Sequence, residues 1–237
     1  MNRPPALAAA PGPLLFLVTR TVEDTTTATY DEPAALSLLR RAARRGFSIQ
    51  AHRSGGFRIQ WQAHRVGAPS TPRTITAEPM TPARLTATMR ADLEDIAARA
   101  RVRRAPDGTI RFGLSRIPRA ATARLHARGL LTAPADDPAR VVVTLSARLA
   151  LLAEAHRTWT KAPRGWYRPA DDIRPGEWAF SAGSFRPGGK SGKAHDRTSS
   201  AGCSCKQFAE FAHDRADAAR RARQHREAVA AAMLAEL

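Results

Sequence analysis

Alternation and helical spacing divide the chain before any chemistry is considered. Leu14–Val22 is an apolar run and Thr25–Tyr30 a threonine-rich one, with Glu23-Asp24 turning between two strands. Asp31 stands where a helix N-cap belongs and Pro33 falls in the first turn. Leu36, Leu39 and Ala43 form one stripe, and Gly46 stops the helix after Arg45. Phe47, Ile49 and Ala51 then alternate with polar residues, Ser54-Gly55-Gly56 turns the chain, and Phe57, Ile59, Trp61 and Ala63 alternate again. The pattern predicts a small β-β-α-β-β domain over residues 14–65, after a Pro/Ala/Gly-rich, disordered stretch at 1–13.

Residues 66–80 carry Gly67, Pro69 and Pro72 and read as a linker, with Ile75–Met80 extended or adding a strand. A second domain is predicted over 81–157. Thr81 is its expected N-cap and Pro82 the first helical position. The helix runs to about Ala100, with Leu85, Met89, Ala91, Leu93 and Ile96 on its apolar face. Asp107-Gly108 turns between extended pieces at Val102 and Ile110–Phe112. Ser115–Arg128 reads as a helix stopped by Gly129. Ile117, Ala121 and Leu125 face inward; Arg116, Arg119, Thr122, Ala123 and His126 lie opposite, with Arg124 and Arg128 on the flanks. Thr132–Arg140 is turn-rich, Val141–Thr144 is β-branched, and Leu145-Ser146 opens a helix over Ala147–His156.

This order, with Arg-Leu-x-x-Arg-Gly-Leu-Leu at 124–131 and Val-Thr-Leu-Ser at 143–146, resembles a winged helix-turn-helix domain of the MarR type. The resemblance covers about a fifth of the chain. It implies a recognition helix, a wing and a closing helix, and DNA as the partner. Arg116, Arg119, Thr122 and His126 would then face the groove, with Arg124 and Arg128 on phosphates and Arg140 a further DNA contact from the wing. The chain departs from that pattern at 101–114, where a hairpin stands in place of the helix that normally precedes the recognition helix. Its wing loop also carries Asp136-Asp137, opposed by Arg140 alone.

Charge adds to this picture. The chain has 237 residues and a net charge of +17, nearly all of it from arginine. Residues 99–128 hold nine arginines against one acid, Asp107. A polyanionic partner is the natural inference, and an arginine-rich solvated surface is the plain alternative. No convergent nucleophile, base and acid stand together, so no enzyme is expected. Gly188-Gly189-Lys190-Ser191 ends like a phosphate loop, but the signature's first glycine would fall at Ser184, so no nucleotide is expected. No apolar stretch reaches the length of a membrane span, and no signal peptide is recognisable.

Residues 158–200 are rich in Pro, Gly, Arg and Trp, with Trp159, Trp166 and Trp178, and read as a linker or a loosely folded segment that docks by its aromatics. The tail, 201–237, carries Cys203-Ser204-Cys205 and then a helix capped by Asp214, with Ala218, Ala222, His225, Val229 and Ala232 on its inward stripe. Two cysteines one residue apart make a poor disulfide framework and suggest a reducing, cytoplasmic setting. A helix starting at Cys205 would carry His225 roughly 30 Å away along its axis. A hairpin over 201–211 with the helix starting at Asp214 would bring His225 back onto Cys203 and Cys205, as in a zinc finger. The fourth ligand would be His213 or His195. The tail resembles short Cys-x-Cys…His modules of actinobacterial proteins. Zinc competes here with a metal-free hairpin that packs His225 as a core histidine.

The expectation is therefore an α+β protein without a cofactor, or with zinc. It binds DNA, as a sequence-specific or general binder that could regulate transcription. The alternative is a protein–protein adaptor that uses the winged-helix fold as a scaffold.

Overall fold

The computed structural model describes residues 14–21, 25–61, 73–99, 101–112, 115–161, 165–168, 178–180, 183–187, 199–212 and 214–236. The stretch expected to be disordered (1–13), linker residues 66–72, the Gly188–Ser191 segment, His195 and His213 lie outside them. Helices and antiparallel sheets make up the described residues, which is the α+β class. The chain divides into two compact units: Met1–Glu154 with Ala230–Leu237, and Ala155–Val229. No helix among the described residues is long and apolar enough to cross a membrane.

The first unit begins with β1 (Leu15–Thr21), β2 (Thr25–Asp31), α1 (Glu32–Arg44), β3 (Ser48–Ala51), β4 (Phe57–Trp61) and β5 (Arg73–Pro79). The Asp31 carboxylate caps α1, accepting from the Ala34 amide at 2.9 Å. The strands form one antiparallel sheet in the order β2-β1-β5-β4-β3. Phe16, Val18, Ile49, Phe57, Ile59, Ile75 and Ala77 bury one face against Ala35, Leu38, Leu39 and Ala42 of α1. The linker expected at 66–80 thus yields, at 73–79, the sheet's central strand. Ile75 and Ala77 alternate with polar residues as a half-buried strand requires, and Val18 and Phe57 both lie opposite Ala77. Residues 14–61 fall in one unit with residues 81–154.

Next come α2 (Ala87–Ala97), β6 (Val102–Arg103), β7 (Ile110–Phe112), β8 (Ser115–Ile117), α3 (Arg119–Ala127), β9 (Leu131–Thr132), β10 (Arg140–Val143) and α4 (Leu145–Ala155). Thr86, not Thr81, caps α2, its hydroxyl accepting from the Met89 amide at 3.3 Å. The helix expected from Ser115 starts only at Arg119. Pro118 is extended at its N-cap, and Ser115–Ile117 pairs instead with Ile110–Phe112. Gly129 follows α3 in the left-handed conformation, φ +65°, which suits glycine. β6, β10 and β9 form a three-stranded sheet in that order.

α4 joins two cores. Its Leu145 and Leu149 pack with the five-stranded sheet, while Ala147, Ala150 and Leu151 pack with α2, α3 and β10. A helix reading LSARLALLAEA is apolar nearly all round, and such a helix is buried on more than one side. Gly55, in the β3–β4 turn, lies against it. A Cβ there would fall 2.6 Å from the Ser146 carbonyl oxygen, and φ is +84°.

The second unit contains β11 (Thr158–Lys161), β12 (Gly165–Arg168), β13 (Trp178–Phe180), β14 (Gly183–Pro187), β15 (Ser199–Cys203), β16 (Ala209–Ala212) and α5 (Arg215–Glu236) as far as Val229. The linker expected at 158–200 is in part sheet: β12-β14-β13 is antiparallel, and β11 pairs with β15. Aromatic residues spaced between Gly and Pro turns favour short strands over a featureless connection. α5 buries Ala218 and Ala222, but Ala232 is exposed. From Ala230 on the helix belongs to the first unit's core, which takes Ala230 and Leu234.

Candidate metal centre

In the second unit, Ser199, Ala201 and Cys203 are buried along β15. Ala201 and Cys203 share a small core with Phe208, Ala212, Ala218 and Ala222. The chain then makes a tight turn. The Lys206 amide donates to the Cys203 carbonyl at 3.1 Å, and the Cys203 amide donates to the Phe208 carbonyl at 2.9 Å. Lys206 takes a left-handed φ of 63° to close it, which returns the chain to β16.

Asp214 fixes where α5 starts, its carboxylate accepting from the Asp217 amide at 2.7 Å. His225 follows Ala218 and Ala222 by seven and three positions and so shares their helix stripe. The Phe208 ring stacks on it, with centroids 4.7 Å apart and planes 10° from parallel. Cys205 Sγ lies 3.5 Å from His225 Nε2.

A fourth side chain completes the group. His156 sits between α4 and β11, and the register of β11 with β15 sets Thr158 opposite Cys203. His156 Nδ1 lies 3.7 Å from Cys203 Sγ and 3.4 Å from His225 Nε2. The four donor atoms all fall within 4.8 Å of one another. Zinc–sulfur bonds of about 2.3 Å and zinc–nitrogen bonds of about 2.05 Å at tetrahedral angles set N···N near ~3.3 Å and S···N near ~3.6 Å. The observed N···N of 3.4 Å and S···N of 3.5 and 3.7 Å match that tetrahedron.

Electrostatics agree with the geometry. Burial lowers the pKa of His156, and the neighbouring His225 lowers it further; burial also lowers that of His225. Both imidazoles are therefore held neutral, the form that ligates a metal. Burial raises the Cys203 thiol above its ordinary value, so its thiolate calls for a compensating cation. Two thiolates and two imidazoles are a donor set that suits zinc.

The sequence points to Cys203, Cys205 and His225, with His213 or His195, both outside the described residues, as the fourth ligand. His156 reads there as the last residue of a helix. The available signal was the alternating strand that follows, Thr158–Lys161. Its pairing with the cysteine strand, Thr158 with Cys203 through Lys161 with Ser200, is long-range and leaves no local mark.

The candidate DNA residues fare unevenly. Arg116 is exposed but sits on β8, outside α3. Arg119 and Arg124 are exposed on α3, and Arg140 is exposed on β10. Thr122, expected on the outer face, is 2% exposed: three positions before the buried Leu125, it lies on the same side of α3. His126 is half-buried, and burial and Arg104 lower its pKa, so it suits a phosphate poorly. Arg128 is engaged within the fold, donating to the Arg84 carbonyl at 3.1 Å. Among the described residues, Arg116, Arg119, Arg124 and Arg140 have no carboxylate partner, whereas Arg103 pairs with Asp137 and Arg111 with Asp107.

No family model, curated protein or solved structure matches this chain.

Proposed function

We propose that residues 155–229 form a structural zinc module within a nucleic-acid-binding protein. The donor-atom spacing at His156, Cys203, Cys205 and His225 carries the zinc reading, since one N···N and two S···N separations fit tetrahedral edges and all four atoms lie within 4.8 Å of one another. A four-ligand protein site keeps no open position for substrate, so its role is structural. The ligands come from three separate stretches of chain, and zinc would tie the α4–β11 connection, the cysteine turn and α5 to one point. Metal analysis of protein purified without chelator tests this. One zinc per chain, lost in Cys203→Ser and His225→Ala, is the expected result, and a metal-free native protein would refute it.

The nucleic-acid reading rests on Arg116, Arg119 and Arg124, exposed together at β8 and α3, where the first turn of the helix has no acid. The β7–β8 hairpin stands where a MarR-type domain has its extra helix, and the wing loop holds Asp137 against Arg103 at 3.0 Å. These features favour general contacts to phosphate over base reading. Binding to duplex and single-stranded oligonucleotides across a salt series tests this. A steep fall in affinity with salt supports it, and no binding at low salt leaves the basic surface to a protein partner.

A further inference from the structure

We infer that Ser204 is the positioning residue that holds His156 in the metal centre. This rests on the zinc reading of that site. Ser204 lies between the two cysteines, and its hydroxyl reaches both sides of the histidine. It donates to the Ala155 carbonyl at 2.7 Å and accepts from the Arg157 amide at 2.9 Å. The Ser204 amide donates in turn to the Arg157 carbonyl at 3.0 Å. Three hydrogen bonds thus clamp residues 155 and 157 to the residue flanked by Cys203 and Cys205.

The need for such a clamp follows from how the ligands are placed. Cys203 and Cys205 share one turn, and His225 is fixed by a capped helix and a stacked ring. His156 belongs to neither α4 nor β11, and lies 47 positions before Cys203. Without the clamp, its backbone could rotate between the helix end and the strand start, and the imidazole would leave the centre. The clamp requires one small side chain that is donor and acceptor at once. Serine and threonine qualify; alanine does not. Groups that orient a metal ligand in this way commonly change metal affinity about 10–100-fold when removed.

The test uses the full chain and zinc itself, with affinity read by competition against a chromophoric chelator. Ser204→Ala should weaken zinc about 10–100-fold. Ser204→Thr should hold close to native affinity, and so excludes misfolding at this position as the cause. If Ser204 acts through His156, adding Ser204→Ala to His156→Ala should weaken zinc no further. The cobalt-substituted S204A chain should keep its thiolate charge-transfer absorption while its ligand-field bands change, reporting loss of a nitrogen. Unchanged affinity in S204A, or equal weakening in the native and His156→Ala backgrounds, would overturn the inference while leaving the zinc reading intact. A native chain that takes up no zinc overturns both.

Discussion

Glu32 and Leu145 are 113 positions apart, and the Glu32 carboxylate accepts the Leu145 amide at 2.6 Å. One acid in the first turn of α1 therefore satisfies an N-terminal donor of α4, the helix shared by the first unit's two cores. Glu32→Ala should destabilise the first unit by about 1–2 kcal/mol, the usual cost of a lost cap. Burial raises the Glu32 pKa, against the opposing effects of the Leu145 amide and Arg148. An acid with a raised folded-state pKa binds more protons folded than unfolded, so its contribution falls as pH climbs from the ordinary carboxylate value through the raised one. Glu32→Gln keeps an acceptor and removes the charge. Its melting temperature should equal or exceed the native one at pH 7 and lose that advantage toward pH 4. A Gln variant as unstable as the Ala variant at pH 7 would show that the charge, not the acceptor, matters.

Thr122 and Arg119 offer a way to separate packing from the proposed binding on α3. The Thr122 hydroxyl is buried and has no hydrogen-bond partner among the described residues. Thr122→Val should therefore stabilise the fold by about 1 kcal/mol and leave nucleic-acid affinity unchanged. The double variant Arg119→Ala/Arg124→Ala should do the reverse, leaving the melt unchanged. If both arginines meet phosphates, the slope of log affinity against log salt should shrink by about 1.8. A slope that does not move would take the partner away from this face.

Local rules made several of these elements legible. Asp31 before Pro33, Gly129 after the α3 stretch and Asp214 before α5 each announce a helix end by a single residue's chemistry. What the sequence hid was non-local. For β5 the strand itself is open to reading at Ile75–Met80, whereas its place between β1 and β4 is set by tertiary pairing. Thr122 faces inward because it stands three positions before Leu125, and a stripe drawn through Ile117, Ala121 and Leu125 leaves that i, i+3 neighbour out; Ile117 itself lies on β8. His156 stayed hidden because a ligand is defined by the atoms around it, and its neighbours were 47 and 69 positions away.

Gly202 sits on β15 directly opposite Trp159. A Cβ at position 202 would lie 2.3 Å from the indole ring. Gly202→Ala must therefore push Trp159 off its strand neighbour or bend β15 one residue before Cys203. The expected cost is about 1–3 kcal/mol, typical of overpacking, together with weaker zinc retention. An alanine variant with native melting and native metal content would mean that the ring swings aside freely.

The packing around the cysteine turn is a reason for zinc to add stability there. The buried cluster at that turn is Ala201, Cys203, Phe208, Ala212, Ala218 and Ala222, in which Phe208 is the one large side chain. The first unit buries Phe16, Leu39, Phe57, Leu93, Ile110 and Leu149, among others. A cluster made mostly of alanines removes little apolar area from water, and elements packed that way gain most from a metal or a disulfide. Both cysteines are free thiols, so the metal is the available staple. Free zinc at a thousandfold above its dissociation constant would add about 4 kcal/mol. Stripping zinc with a strong chelator should split thermal unfolding into two transitions. An early one belongs to residues 155–229, and a later, nearly native one to the first unit. His156→Ala should show the same early transition without any chelator, and added zinc should not restore it. A single native transition that survives both treatments would mean that the hairpin and α5 hold together by packing alone.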